Sequence, residues 1–133
     1  MLAKPPFILL ADDDLEDLEL FTEIILSVIP GTKTHEVTNG TELVGFLASC
    51  NKDELPDIVI LDYNMPRMKG GALLSELNTD RLKQISKFVL STSDADLHIK
   101  ECMDNGAKSY FVKPDNVQGL KNIIRKMISL HTS

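Results

Sequence analysis

Residues 56–64 read PDIVILDYN: a proline and an aspartate, four consecutive apolar residues of which three are β-branched, then an aspartate and a turn-forming asparagine. β-Branched residues favour strands, and an apolar run this short without polar alternation suits a strand buried on both faces of a parallel sheet. Asp62 then stands at the carboxyl end of that strand, before a loop signalled by Asn64, Pro66 and Gly70-Gly71.

The same grammar recurs on either side. Upstream, Pro5-Pro6 introduces FILLA over Phe7–Ala11, and three aspartates, Asp12, Asp13 and Asp14, follow it. Downstream, KFVLS over Lys87–Ser91 and YFV over Tyr110–Val112 read as further strands, and HEVT over His35–Thr38 as a short one. Helical spacing fills the intervals. Leu18, Phe21, Ile25 and Val28 follow Asp14, a candidate N-cap, and stop at Pro30-Gly31. Asn39-Gly40-Thr41 opens a helix with Leu43, Val44, Phe46 and Leu47, and a third runs from Ala72 to Leu77. Asp94 is placed to cap a fourth through Ile99, Cys102 and Met103, stopping at Asn105-Gly106. The last carries Val117, Leu120, Ile123, Ile124, Met127 and Ile128. Five strands alternating with five helices imply an α/β fold, a doubly wound parallel sheet covered on both faces by right-handed crossovers.

In such sheets ligands bind beyond the carboxyl ends of the strands, where loops and helix N-termini gather. Asp12 and Asp13 follow the first strand, Asp62 ends the third, Ser91 the fourth and Lys113 the fifth, so all five fall on one edge. Three neighbouring carboxylates repel one another unless a cation intervenes, and hard oxygen ligands favour Mg²⁺. Lys113 adds a fixed positive charge and Ser91 a hydroxyl, both suited to an anionic phosphoryl group. A carboxylate is itself a competent nucleophile.

Composition narrows the partners. The 133 residues suffice for one domain, and 43% hydrophobic with 26% charged residues is ordinary globular usage. A formal charge of −6 is the wrong sign for gripping a phosphate backbone, so direct nucleic-acid binding is not expected. No apolar run approaches a bilayer span, and Met1 to Phe7 lacks a signal-peptide core, which implies no membrane and a cytoplasmic location. Cys50 and Cys102 have no CxxC or histidine at metal-ligand spacing and read as free thiols. His35, His98 and His131 read as surface or structural histidines.

From about Phe7 to Leu130 the chain resembles the receiver domain of two-component response regulators, through ILLADDD, IVILDYNMP with Gly70, FVLSTS and GAKSYFVKP in order. The resemblance implies a flavodoxin-like sheet of order 2-1-3-4-5 and a single receiver domain over 1–133, and with the last helix expected to finish within a few residues of the terminus no output domain is expected. It implies that Asp62 is the phosphoacceptor and that Mg²⁺ is held by Asp12, Asp13, Asp62 and the backbone carbonyl of Asn64. Lys113 would contact the phosphoryl oxygens from a cis Lys113-Pro114 bond. Ser91, with Tyr110, would form the switch pair. Thr92 would border the phosphoryl site, and Asn64 and Ser93 would flank the water that removes the phosphate.

The phosphate would come from a sensor histidine kinase or phosphotransfer protein, and the output would be a downstream protein bound by a monomer or a phosphorylation-dependent homodimer. The STS run resembles receivers that work with phytochrome-type or other sensor kinases. On this reading the chain is a signalling protein, not an enzyme, limited to self-catalysed phosphorylation and dephosphorylation. Three other readings stand beside it. Asp12, Asp13 and Asp14 alone make an ordinary solvated turn and helix cap. A Mg²⁺-dependent phosphohydrolase would need an acid/base aspartate where Asn64 stands. A degenerate receiver would bind partners without phosphorylation.

Overall fold

The short apolar runs form the strands they imply; the computed structural model of the chain describes residues 4–65 and 69–132. The strands are β1 (Phe7–Ala11), β2 (Lys33–Val37), β3 (Ile58–Leu61), β4 (Ser86–Ser91) and β5 (Ser109–Val112). They make one sheet in the order β2-β1-β3-β4-β5, every neighbour parallel. The connecting helices are α1 (Leu15–Val28), α2 (Gly40–Ser49), α3 (Gly70–Leu77), α4 (Asp96–Asp104) and α5 (Val117–Thr132). Pro66 lies outside the described residues.

Alternation along the buried strands divides the core in two. Leu9, Ala11, Val59, Leu61 and Val89 face one side with Leu43, Leu47, Leu73, Leu74, Leu77 and Cys102 of α2, α3 and α4. Ile8, Leu10, Ile58, Ile60, Phe88 and Leu90 face the other with Leu18, Phe21, Ile25, Leu120, Ile124 and Met127 of α1 and α5. The period of two along a strand produces this division. Burying a full aliphatic side chain contributes about 1.5–3 kcal/mol, so the two layers supply the main driving force for folding.

Register then fixes the edge that matters. Ala11 pairs with Leu61, and Leu61 with Val89, which aligns the carboxyl ends of β1, β3 and β4. Ladder bonds continue one residue further: Asp62 donates its N–H to Ala11 O at 3.0 Å, and Lys113 donates to Ser91 O at 2.7 Å. Asp62 therefore lies immediately beyond Leu61, still held by the sheet.

Helix ends follow local chemistry. Asp14 caps α1, its carboxylate accepting from the N–H groups of Glu16 and Asp17, and Asn39 caps α2 through Glu42 N. Gly106, at φ +106°, closes α4: its N–H donates to Met103 O and that of Ala107 to Cys102 O, the paired bonds that a left-handed residue permits.

Several boundaries differ from the sequence expectation. β2 begins at Lys33 rather than His35 and ends at Val37; it is an edge strand of which only Val37 is buried, so its apolar signal is weak. β4 and β5 each start one residue earlier, at Ser86 and Ser109, and α3 starts at Gly70. Asp94 does not cap α4. Ala95 holds the cap position without a side-chain bond, and its N–H donates to Ser93 Oγ at 3.4 Å. Val117, the first residue of α5, is 51% exposed, and Met103 faces solvent. A short 3₁₀ turn at Lys52–Glu54 precedes β3.

Both cysteines are free. Burial, and then the Glu101 charge, push the Cys102 thiol up to about 11. Since an unfolded thiol ionises near 8.5, stability tied to Cys102 is complete below that pH and declines as the pH rises toward 11. At pH 8 a thiol-specific disulfide reagent should label Cys50 promptly and Cys102 only at the rate of local opening. Equal labelling rates in the native protein would contradict this packing.

Candidate functional site

Because β1 and β3 are neighbours ending in register, Asp12 and Asp62 lie side by side, with Asp13 next along the first loop. Carboxylate oxygens of Asp12, Asp13 and Asp62 all lie within 4.8 Å of one another. Asp12 is buried, Asp62 is 9% exposed and Asp13 is open to solvent. The first loop is internally braced, since Asp14 donates its N–H to Asp12 Oδ1 at 2.9 Å.

Lys113 enters from the end of β5. Its ammonium donates to Asp12 Oδ2 at 2.8 Å and Asp17 Oδ2 at 3.0 Å, and stands 3.7 Å from Asp62 Oδ2. Phe21 presents its ring 5.5 Å from the same nitrogen. Burial alone would lower the lysine's pKa; hydrogen bonds to Asp12 and Asp17, with the charges of Asp12 and Asp62, outweigh it and hold Lys113 above its ordinary value. It is a permanent cation. Asp12 behaves oppositely: burial raises its carboxyl, and Lys113 offsets only part of that shift. Four carboxylates against one ammonium leave excess negative charge at a poorly solvated spot. An all-oxygen donor set of three carboxylates meets the requirements of a hard divalent cation.

The expected cis bond is not found: among the described residues no peptide is cis, and Lys113-Pro114 is trans. The trans form is the lower-energy one by about 0.5–1 kcal/mol, and Lys113 reaches Asp12 from it directly.

The polar residues around the carboxylates divide into those that face them and those engaged elsewhere. Asn64 donates its N–H to Asp62 Oδ1 at 3.3 Å, and its side-chain oxygen accepts from Lys69 at 3.4 Å. Ser91 is fully buried at the end of β4, and its hydroxyl oxygen accepts from Ser93 N at 3.3 Å. Thr92 is exposed beside it. The Ser93 hydroxyl pairs with His98 Nδ1 at 2.6 Å, and Tyr110 donates its hydroxyl to Ser93 O at 2.7 Å.

Two features escaped the sequence reading. Asp17, in the first turn of α1, shares Lys113 with Asp12, a partner that its place among ordinary acidic first-turn residues does not announce. Tyr63, directly after Asp62, donates to Glu101 Oε2 at 2.8 Å and stacks on His98 with ring centroids 4.2 Å apart. Burial and then the Glu101 bond push its phenol up to about 12. His98 is thus a packed structural histidine joining the loop after β3 to α4, a contact bridging 35 residues of sequence that no local pattern announces.

Gly70 makes close packing after Asp62 possible. Its N–H donates to Tyr63 O at 2.8 Å, and a Cβ there would lie 2.8 Å from Tyr63 Cδ1 and 3.0 Å from Tyr63 Cα. Gly70→Ala should therefore lose about 1–3 kcal/mol through forced displacement, despite the helix preference for alanine. Gly45→Ala is the control, because its Cβ would meet nothing within 4 Å and should gain up to about 1 kcal/mol. Urea unfolding of both variants checks the contrast.

Comparison with known proteins agrees with this arrangement. The chain is 26% identical over 125 residues to the two-component response regulator ORR11 of rice, Oryza sativa, covering 93% of this chain and 82% of that one. It is 32% identical over 74 residues to a probable methanogenesis regulatory protein, FilR2, of Methanothrix harundinacea; this match covers 55% of the chain and spans about half, 48%, of that relative's length. The crystal structure of the phosphorylated cyanobacterial phytochrome response regulator RcpA superposes with a TM-score of 0.85 at 26% identity, covering 97% of this chain and 95% of that one. The response regulator receiver domain family as a whole matches residues 8–125. With five parallel strands in the order β2-β1-β3-β4-β5 and an acidic cluster at their carboxyl edge, the chain belongs to the response regulator receiver domain family.

Proposed function

We propose that Asp62 accepts a phosphoryl group from a histidine kinase or phosphotransfer protein, with Mg²⁺ held by Asp12, Asp13, Asp62 and the backbone carbonyl of Asn64. The Asp62 carboxylate attacks phosphorus, the bond from phosphorus to the donor imidazole nitrogen breaks, and the acyl phosphate remains on Asp62. The observation that carries this reading is the pairing of a near-buried carboxylate with two neighbouring carboxylates within 4.8 Å and a lysine 3.7 Å away. When bound, Mg²⁺ would neutralise that carboxylate set and polarise the phosphoryl oxygens. Lys113 takes up the charge arriving on those oxygens.

Downstream of this step, Ser91 and Tyr110 carry the signal. The Ser91 hydroxyl turns from its Ser93 bond toward the phosphoryl group, and Tyr110 moves with the backbone of Ser93, to which its own hydroxyl is bonded. Thr92 borders the entry to Asp62; Asn64 and Ser93 tune the hydrolysis that resets it. The output is altered binding of a protein partner at the face around Tyr110.

Incubation with Mg²⁺ and acetyl phosphate, followed by intact mass measurement, tests the reading. A hydroxylamine-labile adduct that disappears on chelation is the expected result. An adduct formed equally without divalent metal would overturn it.

A further inference from the structure

An ammonium has three N–H bonds to donate. Lys113 gives one to Asp12 and one to Asp17, at 2.8 and 3.0 Å, whereas Asp62 at 3.7 Å is beyond hydrogen-bond reach. The resting lysine is therefore bonded to Asp12 and to the first turn of α1 rather than to the carboxylate it is to serve. Asp17 is fixed there by the first turn of α1, its own N–H donating to Asp14 Oδ1 at 3.2 Å. With Asp12 engaged by a cation, Asp17 remains as the carboxylate holding Lys113.

We infer that Asp17 is a positioning residue that competes with the phosphoryl group for Lys113 and so sets how readily the phosphorylated state forms. This rests on the reading of Asp62 as phosphoacceptor. Asp17 touches no reacting atom; it acts through the lysine. Its side chain is 33% exposed against 12% for Lys113, so solvent moderates the pair and the competition is modest. Asp17 and Lys113 also line a cleft of about 200 Å³ between α1 and the start of α5, which leaves the carboxylate room to stay behind when the ammonium turns away.

Beryllofluoride, which mimics a phosphoryl group on a carboxylate, is the probe, titrated with Mg²⁺ and followed by NMR shifts of the Ser91 and Lys113 amides. Asp17→Asn should tighten beryllofluoride binding by about three- to five-fold, the scale of a part-exposed ion pair. Asp17→Ala, which lacks even a neutral acceptor, should do so at least as strongly, and Asp17→Glu should return part of the way to wild type. In a Lys113→Met background Asp17→Asn should have no effect, a dependence that general loss of negative charge or loosened packing does not produce.

Unchanged or weaker binding in Asp17→Asn and Asp17→Ala, with thermal unfolding still cooperative, would overturn the inference. So would a gain that persists in full without Lys113. Failure of the wild-type protein to bind beryllofluoride at Asp62 would instead remove the underlying reading, and the two failures are distinct.

Discussion

Asp62→Asn should leave the protein folded and lower phosphorylation by acetyl phosphate by at least about a thousand-fold, because the amide keeps the shape of the side chain but is not a nucleophile. Its expected effect on stability has the opposite sign. Asp62 shares its surroundings with Asp12 and Asp13, and removing one charge relieves repulsion that Lys113, 3.7 Å distant, does not cancel. The variant should therefore unfold at a higher temperature than wild type in the absence of divalent metal, and the gap should narrow when Mg²⁺ is added. Intact mass spectrometry reads the first effect and calorimetry with and without chelator the second. Full labelling of Asp62→Asn would move the phosphoryl group to Asp12 or Asp13 and end the assignment.

The other large effect lies beneath the site. Phe88 is fully buried in the middle of β4, within the layer formed with α1 and α5, its ring 6.2 Å from that of Phe111. Truncation leaves a ring-sized hole that close-packed neighbours fill only partly, so Phe88→Ala should cost about 3–5 kcal/mol. Against the roughly 5–15 kcal/mol that holds an ordinary domain together, this is a substantial share. The urea midpoint should fall sharply with the slope retained, and Phe88→Leu should recover much of the difference. Because β4 carries Ser91 at its end, the truncated protein should also lose order at Ser91, visible as broadening of the Ser91 amide signal.

Legibility in the sequence tracked burial. β1 and β3 lie inside the sheet and announced themselves as unbroken apolar runs, and β4 through Phe88–Leu90 between Lys87 and Ser91; β2, an edge strand buried at Val37, showed only its end. The edge positions of Asp12, Asp13, Asp62, Ser91 and Lys113 were readable because a parallel sheet sends every strand terminus to one edge, so topology converts separate positions into neighbours. Asp12, Asp13, Asp62 and Lys113 do meet there. What local pattern does not encode is contact made through tertiary packing. Asp17 looks like an ordinary acidic residue in the first turn of a helix, and the stacking of Tyr63 on His98 depends on how α4 settles against the loop after β3. The cap of α4 was missed for a related reason: Asp94 has the right chemistry, but the helix begins after Ala95.

The strand order also sets a timetable. Asp12 and Asp13 leave the ribosome about a hundred residues before Lys113 and Asp62 about fifty before it, and synthesis runs at about 5–20 residues per second. A nascent chain thus carries its acidic cluster for seconds before the lysine that balances it exists. During that interval dissolved cations are the available counter-charge for those carboxylates.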